Sequence, residues 1–120
     1  MKSSCNYQYV VLEIEENESI LTRDQLIRIL RAENILARRY FYPGCHRVGP
    51  HRTLYPNAHL RLPQTERVAE RVITLPTGQV ITPEIIRVVC NLIRTAFTNA
   101  SVIRKRLDGD LVGLNARASV

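Results

Sequence analysis

Apolar and polar residues alternate along the first third of the chain in a pattern that predicts strand, helix and strand. Residues 7–14, YQYVVLEI, are β-branched and aromatic, which predicts a strand buried on both faces. Thr22 opens a T-R-D-Q capping box, and apolar residues at helical spacing then continue to a stop residue, Asn34. Residues 35–42, ILARRYFY, predict a second strand.

A long loop separates this part from the next helix. Pro43-Gly44 ends the second strand, and a loop rich in aromatic, His and Arg residues follows to about Leu62. Loops of more than about 12–15 residues in compact domains are usually functional or disordered, and this composition favours function. Pro63 suits the first position of a short helix, PQTERVAER, and residues 72–75, VITL, predict a third strand.

The last predicted helix begins at Thr82-Pro83, because a capping threonine is followed there by a proline at the first helical position. Its apolar stripe is expected to form core: Ile85, Val89, Leu92, Ile93 and Ala96. Beyond about Arg104 the pattern is weak, and Asp108-Gly109 suggests a turn. We therefore expect one small domain over residues 1–104 and a poorly ordered tail over residues 105–120.

The order of these elements predicts the fold class. Strand, helix, strand, long loop, helix, strand and helix together indicate an α+β fold, with a small sheet of about three strands and helices on one face. Because the strands are apolar on both faces, the uncovered face is expected to meet another domain or another subunit. An isolated chain is then expected to self-associate through that face.

Composition narrows the class of protein. At 120 residues, with 45% hydrophobic and 23% charged residues, the chain fits one globular domain and not a disordered or coiled-coil protein. It lacks both the roughly 18-residue apolar run of a membrane span and the pattern of a signal peptide, so the cytoplasm is the expected location. The cysteines Cys5, Cys45 and Cys90 are odd in number and form no CxxC pair, which favours reduced thiols.

The positive charge leaves several functions open. The net charge is +6, and 15 of the 17 basic residues are arginine. Arginine binds phosphates and carboxylates in a bidentate manner, so a nucleic acid and an anionic small molecule are both candidate ligands. A preference for arginine codons is a third explanation, because the arginines are spread along the chain. No recognised nucleic-acid motif is present, so a stand-alone nucleic-acid module is the less favoured function.

Catalytic and metal-binding residues are not predicted. Cys45 and His46 are neighbours, whose side chains point in opposite directions in an extended segment. The three histidines, at positions 46, 51 and 59, match no metal-ligand spacing. Glu66 and Glu70 lie one helical turn apart beside arginines, which predicts a solvated charged face.

The segment 38–47, RRYFYPGCHR, carries the most suggestive chemistry. It places three aromatic residues, three arginines and a histidine around a Pro-Gly turn. Such a set suits an anionic ligand with a flat ring or a sugar, through stacking and bidentate phosphate contacts. The alternative is that the aromatic residues pack in the core while the arginines face solvent. Composition alone leaves both interpretations open.

Much of the chain resembles a known enzyme family. The two most specific motifs are ARRYFYPGCHR and the block ERVAERVITLPTG followed by ITPE. Together with YQYVVLEI and the last helix, they resemble the C-terminal part of the DegT/DnrJ/EryC1/StrS aminotransferases. The resemblance covers residues 5–97 in the family's order. It implies the small C-terminal domain of a fold-type I, pyridoxal-phosphate-dependent aminotransferase that acts on nucleotide-linked keto sugars.

The resemblance also implies what this chain does not supply. In the family, a large N-terminal domain carries the Schiff-base lysine, and neither Lys2 nor Lys105 matches that motif. The chain alone is therefore expected to hold no catalytic or cofactor-binding residue, to bind no cofactor and to be inactive. It is expected to be a fragment of a full enzyme or the product of a truncated gene. Its expected partners are a large pyridoxal-phosphate domain or a second subunit, in a homo-oligomer.

Residue by residue, the resemblance places substrate contacts at the end of the second strand. Tyr42, His46 and Arg47 fall in the matching motif and are expected to contact the sugar or its phosphates. Members often have an aromatic residue, commonly tyrosine, about five residues after that histidine. This chain has His51 there, which is expected to be the fourth substrate contact. A folded, non-catalytic remnant is a further alternative.

Overall fold

The computed structural model describes residues 8–15 and 21–117. A 3₁₀ turn, Cys45–Arg47, lies in the segment after the second strand. The strands and helices are, in chain order, β1 (Val10–Glu13), α1 (Arg23–Ala32), β2 (Arg38–Arg39), α2 (His51–Leu54), α3 (Ala58–Arg61), α4 (Pro63–Arg71), β3 (Val72–Leu75), α5 (Pro83–Thr98) and α6 (Ala100–Arg117). The α+β class predicted from the element order is confirmed.

The sheet has three antiparallel strands in the order β1-β3-β2. The central strand, β3, follows α4 directly, and its residues Val72 and Ile73 are buried. It pairs with β1 from Val10↔Leu75 to Glu13↔Val72 and with β2 at Arg38↔Thr74 and Arg39↔Ile73. The last strand in sequence is therefore the centre of the sheet, and the turn after β2 lies at the edge of the sheet.

Helix α1 begins and ends where its local sequence predicts. Thr22 and Gln25 form a reciprocal capping box, with the Gln25 amide donating to Thr22 Oγ1 at 3.3 Å and the Thr22 amide donating to Gln25 Oε1 at 3.0 Å. At the other end Asn34 takes a left-handed φ of 60°, a conformation that asparagine tolerates better than most residues. The amide of Ile35 then donates to the Leu30 carbonyl at 2.9 Å, which closes the helix end.

The hydrophobic core lies between β3, α1 and the C-terminal half of α5. The members that are almost completely removed from solvent are Leu21, Leu26, Leu30, Ala37, Ile73, Ala96 and Ala100. The predicted core stripe of α5 is correct only in its second half. Ala96 is buried, but Ile85 at the start of the helix is 39% exposed. The first turns of α5 line an open groove, and no element of the described residues covers them.

Two strand predictions are wrong in extent. The second strand is two residues long, because residues 35–37 are still closing α1 and Phe41 takes a φ of 44° that ends the extended backbone. The first strand is not buried on both faces: Val10 and Val11 are 44% and 42% exposed. β1 is an edge strand with an uncovered apolar side, which periodicity cannot distinguish from a buried strand. Tyr7 lies outside the described residues.

The long loop and the tail are more helical than predicted. The loop contains the 3₁₀ turn, α2 and α3, all short enough that no helical period is visible in sequence. The expected turn at Asp108-Gly109 is wrong, because α6 runs through it, with Arg104 and Asp108 paired one helical turn apart at 3.7 Å. The expected boundary at residue 104 falls within this helix, and the division into domain and tail stays a prediction. Within the described ranges, no helix combines the length and apolar character needed to cross a bilayer.

Candidate functional site

The turn after β2 places the ring of His46 against the backbone of Gly44. Gly44 has a φ of 95° and is buried, and the Arg47 amide donates to the Gly44 carbonyl at 3.0 Å to form the 3₁₀ turn. A Cβ on Gly44 would lie 2.7 Å from His46 Cε1 and 3.0 Å from His46 Nδ1. The imidazole therefore lies in space that only glycine leaves free. Its side chain is 10% exposed, although it lies in a surface segment.

One carboxylate holds both basic side chains of this turn. Glu66 on α4 forms a short hydrogen bond with His46 Nε2. Arg47 Nε donates to both carboxylate oxygens of Glu66, at 2.8 and 3.0 Å, and Arg47 Nη2 donates to Oε2. The Glu66 side chain is 20% exposed. The sequence-based interpretation of Glu66 as part of a solvated charged face is therefore wrong: the side chain contacts the turn across 19 and 20 residues of sequence.

These contacts change the acid–base properties of the cluster. The hydrogen bonds from Arg47, then those from His46, lower the pKa of Glu66 to about 2. The hydrogen bond to Glu66 in turn raises the pKa of Arg47 above its ordinary value. Glu66 is thus an ionised hydrogen-bond acceptor at neutral pH, and Arg47 is a cation.

The lowered pKa of Glu66 predicts a pH-dependent contribution to stability. Because the folded-state pKa is about 2 and the ordinary value is 4.5, the contribution is complete above about pH 4.5 and is lost as the pH falls towards 2. Glu66→Gln is therefore expected to be less stable than the wild type near pH 6, with a difference that shrinks on acidification. Urea unfolding at a series of pH values measures this difference. A gap that stays constant down to pH 2, or an equal gap in Glu70→Gln, would contradict the assignment.

Tyr42 is held by a second ionic cluster. The guanidinium carbons of Arg23 and Arg39 lie 4.8 and 4.7 Å from the centre of its ring, within cation–π range. Asp24 joins the two arginines: Arg23 Nε donates to Oδ1 at 2.9 Å, and Arg39 makes a bidentate contact through Nε and Nη2 at 3.0 and 2.9 Å. Burial raises the pKa of Asp24, but the hydrogen bonds from both arginines outweigh it and leave the pKa below its ordinary value.

Arg23 also joins this cluster to α4. It is a buried arginine, with 6% exposure, and its Nη1 donates to the Ala69 carbonyl, one turn after Glu66. A buried guanidinium requires such partners because desolvation is costly. Helix α4, which carries Glu66, is thereby attached to the start of α1 as well as to the turn after β2.

Two cavities adjoin the turn. The larger, of about 310 Å³, is lined by Pro43, His46, Arg47, Arg52, Pro56 and His59. The smaller, of about 100 Å³, is lined by Tyr42, Pro43, Arg47, Glu66, Ala69 and Glu70. Arg47 lines both of them. The larger cavity offers two guanidiniums and two imidazoles, a set of donors that suits an anionic or hydroxyl-rich ligand.

The structure separates the four expected site residues. Tyr42, His46 and Arg47 lie in or beside one turn. Glu66 binds His46 and Arg47, and Arg39 lies over the ring of Tyr42. His51 begins α2 and is exposed, and the wall of the larger cavity contains Arg52 and His59 instead. The sequence offered no signal for these two beyond the overall richness of the loop in His and Arg. Among the described residues, no group of three or more His, Cys, Asp or Glu side chains could hold a metal ion.

Comparison with known proteins assigns the family. The model of the DegT/DnrJ/EryC1/StrS aminotransferase family matches residues 1–94, which include the whole of the turn and α4. The chain belongs to the DegT/DnrJ/EryC1/StrS aminotransferase family. The resemblance noted in the two sequence motifs is thereby confirmed. The matched range ends inside α5, so α6 lies beyond it.

Two individual proteins are similar to this chain. One is the dTDP-4-amino-4,6-dideoxy-D-glucose transaminase of Escherichia coli, 31% identical over 86 residues, which are 72% of this chain and 23% of the transaminase. The other is a crystal structure of DesI in the presence of its TDP-sugar product, with 41% identity and a TM-score of 0.76. That match covers 86% of this chain and 26% of DesI. The chain thus spans about a quarter of the length of each of these two proteins.

Proposed function

We propose that this chain is the C-terminal, substrate-facing domain of a pyridoxal-phosphate-dependent aminotransferase for nucleotide-linked keto sugars. In this proposal Tyr42, His46 and Arg47 contact the sugar or its phosphates. The domain completes the substrate site and closes over it, while the Schiff-base chemistry belongs to a separate large domain. A cytoplasmic location is part of the same proposal. One relative is named as a dTDP-sugar transaminase, and DesI was crystallised in the presence of its TDP-sugar product, which supports this substrate class.

The observation that carries the proposal is the composition of the larger cavity. The family-matched turn supplies His46 and Arg47 to its wall, and the following segment adds Arg52 and His59. A nucleotide sugar combines a diphosphate with several hydroxyl groups. Guanidinium groups bind phosphate oxygens in pairs, and imidazoles donate to or accept from hydroxyls. The side chains present are therefore those that this ligand requires.

The residues of this chain do not fit pyridoxal phosphate. The cofactor needs a lysine amine in an enclosed site that also positions its ring. The sequence has two lysines, of which Lys2 lies outside the described residues and Lys105 is exposed on α6. That the chain alone binds no cofactor stays a prediction. In the proposal the lysine comes from the large domain.

An apolar groove offers a surface for that large domain or for a second subunit. It has a volume of about 620 Å³ and lies between the edge strand β1, the segment after α1 and the first turns of α5. Leu36 and Ile86, both in its wall, are 64% and 51% exposed. Exposed apolar area of this kind is characteristic of protein–protein contacts. We propose that the rest of the enzyme covers it.

The paired arginines count against the nucleic-acid alternative. Arg23, which is buried, and Arg39 share the single carboxylate of Asp24. A phosphate backbone is bound by cations that are free to replace counterions. Two of the 15 arginines are therefore already engaged within the chain and are not free to bind a polyanion.

Titration with a dTDP-linked keto sugar tests the proposed substrate contact. In the ¹⁵N-labelled chain, the amides of residues 44–47 and 52–59 are expected to shift on binding. Arg47→Ala is expected to weaken binding about tenfold, equivalent to about 1.4 kcal/mol, because a charge-assisted hydrogen bond to phosphate is lost. Isothermal titration calorimetry measures the two dissociation constants.

Arg87→Ala is the matched control, since Arg87 is an exposed arginine on α5 outside the cavity wall. It is expected to bind as the wild type does. Equal losses in both variants would indicate binding through net charge and would contradict the proposed site.

The domain role is tested with a chimera, in which this chain replaces the equivalent quarter of DesI. The chimera is expected to transaminate, and a chimera that folds and holds cofactor but is inactive would contradict that role.

A further inference from the structure

We propose that Glu66 is a positioning residue, which holds His46 in one ring tautomer and Arg47 in one orientation at the edge of the cavity. The inference rests on the proposed function only where ligand binding is concerned. Glu66 itself lines the smaller cavity and not the larger one. It therefore acts on a ligand in the larger cavity through the two side chains that it binds.

The chemistry of the carboxylate determines the tautomer. An ionised carboxylate has no hydrogen to donate, so the atom facing it must be a donor. His46 faces Glu66 with Nε2. The neutral ring must therefore carry its hydrogen on Nε2, which leaves Nδ1 with a free lone pair as a hydrogen-bond acceptor.

The backbone supplies a second restraint on the same ring. Nδ1 and Cε1 of His46 occupy the space beside Gly44 that a Cβ would take. The ring is thus confined by Gly44 on one edge and bound by Glu66 at the opposite nitrogen. Two independent contacts define its position, and the side chain is only 10% exposed.

The Glu66 carboxylate also restrains Arg47. Its Nε and Nη2 both donate to Glu66, which is the bidentate geometry that fixes the plane of a guanidinium. With Nε and one N–H of Nη2 engaged, both N–H groups of Nη1 and the second N–H of Nη2 remain for a ligand. Glu70, one helical turn along α4, and Tyr42 also act on the charge of Arg47, but through space.

The helix that carries Glu66 is itself fixed by contacts with the core. Helix α4 begins at Pro63 and continues directly into the buried strand β3. Arg23 binds the carbonyl of Ala69 in the same helix. The position of Glu66 is therefore defined by the sheet and by α1, and its side chain links the surface turn to the core.

NMR of the whole chain in solution tests the tautomer directly. Long-range ¹H–¹⁵N correlation of the histidine rings distinguishes Nε2–H from Nδ1–H at a pH where the ring is neutral. The wild type is expected to show His46 with its hydrogen on Nε2. A ring with its hydrogen on Nδ1, or an even mixture of the two tautomers, overturns the inference without recourse to any variant.

Variants of the same helix provide the controls. Glu66→Ala is expected to give a mixed tautomer and to lose the protected Nε–H signal of Arg47. Glu66→Gln can still accept at its amide oxygen, so it is expected to restore the His46 tautomer without the bidentate contact to Arg47. Glu70→Ala removes the same charge one turn away and is expected to leave both signals unchanged. If Glu70→Ala and Glu66→Ala have the same effect, the role of Glu66 is merely electrostatic and the inference is overturned.

Binding measurements with the dTDP-linked sugar separate this inference from the proposed function. Glu66→Ala is expected to weaken binding of the dTDP-linked sugar about tenfold, and Glu70→Ala less than twofold. A wild type that shows the Nε2–H tautomer but binds no nucleotide sugar refutes the proposed function and leaves the positioning contact standing. A Glu66→Ala variant that folds and binds the sugar as the wild type does overturns the positioning role in binding.

Discussion

Leu30→Ala is expected to destabilise the chain by about 2–5 kcal/mol, the usual cost of truncating a fully buried leucine. Leu30 has no exposed surface and lies on α1 among the core residues that face β3 and α5. Its backbone carbonyl also accepts the hydrogen bond that closes the end of α1. The substitution removes side-chain contacts and leaves a cavity while keeping this hydrogen bond. Urea unfolding followed by circular dichroism measures the loss.

Leu36→Ala is the matched control, six residues further on. Its side chain is 64% exposed in the wall of the apolar groove, so the same truncation removes little buried surface. It is expected to change the free energy of unfolding by less than about 0.5 kcal/mol. Equal effects of the two substitutions would show that the core does not lie between α1, β3 and α5.

The contrast between these two leucines shows what the sequence could and could not predict. Helix starts depend on neighbours within three residues, which is why the capping box at Thr22 and the capping threonine at Thr82 correctly predicted the starts of α1 and α5. Burial depends on what covers a residue from elsewhere in the chain. Periodicity assigned Ile85 and Ala96 to one core stripe, but only Ala96 is covered. The same limit explains why β1 is more exposed than its apolar sequence indicated.

The residues of the candidate site also differ in whether the sequence alone could indicate them. Tyr42, His46 and Arg47 could be proposed from sequence because they lie within one short segment of the range that matches the family, and their contact with substrate stays a prediction. Glu66 could not, because its role depends on hydrogen bonds that span 19 and 20 residues. Asp24 is similar, since its contact with Arg39 spans 15 residues. A carboxylate flanked by arginines on a helix has the same sequence pattern whether it faces solvent or an adjacent turn.

Gly44→Ala is expected to destabilise the chain by about 1–3 kcal/mol and to displace His46 from Glu66. Gly44 has a φ of 95°, and an L-residue held in such a conformation costs free energy of that order. The new methyl group would also lie 2.7 Å from His46 Cε1, closer than real Cβ contacts allow. The ring must therefore leave its place beside the backbone. Urea unfolding measures the first effect, and the tautomer of His46 reports the second.

Gly49→Ala separates these effects from the general consequence of replacing a loop glycine. No atom lies within 4 Å of the Cβ that it would carry, and its backbone does not adopt the left-handed region. Alanine there lowers the entropy of the unfolded chain, so a neutral or slightly stabilising effect of up to about 1 kcal/mol is expected. If Gly44→Ala is equally neutral and His46 keeps the hydrogen on Nε2, the ring does not depend on the space beside Gly44. The position of the His46 ring would then rest on its contact with Glu66.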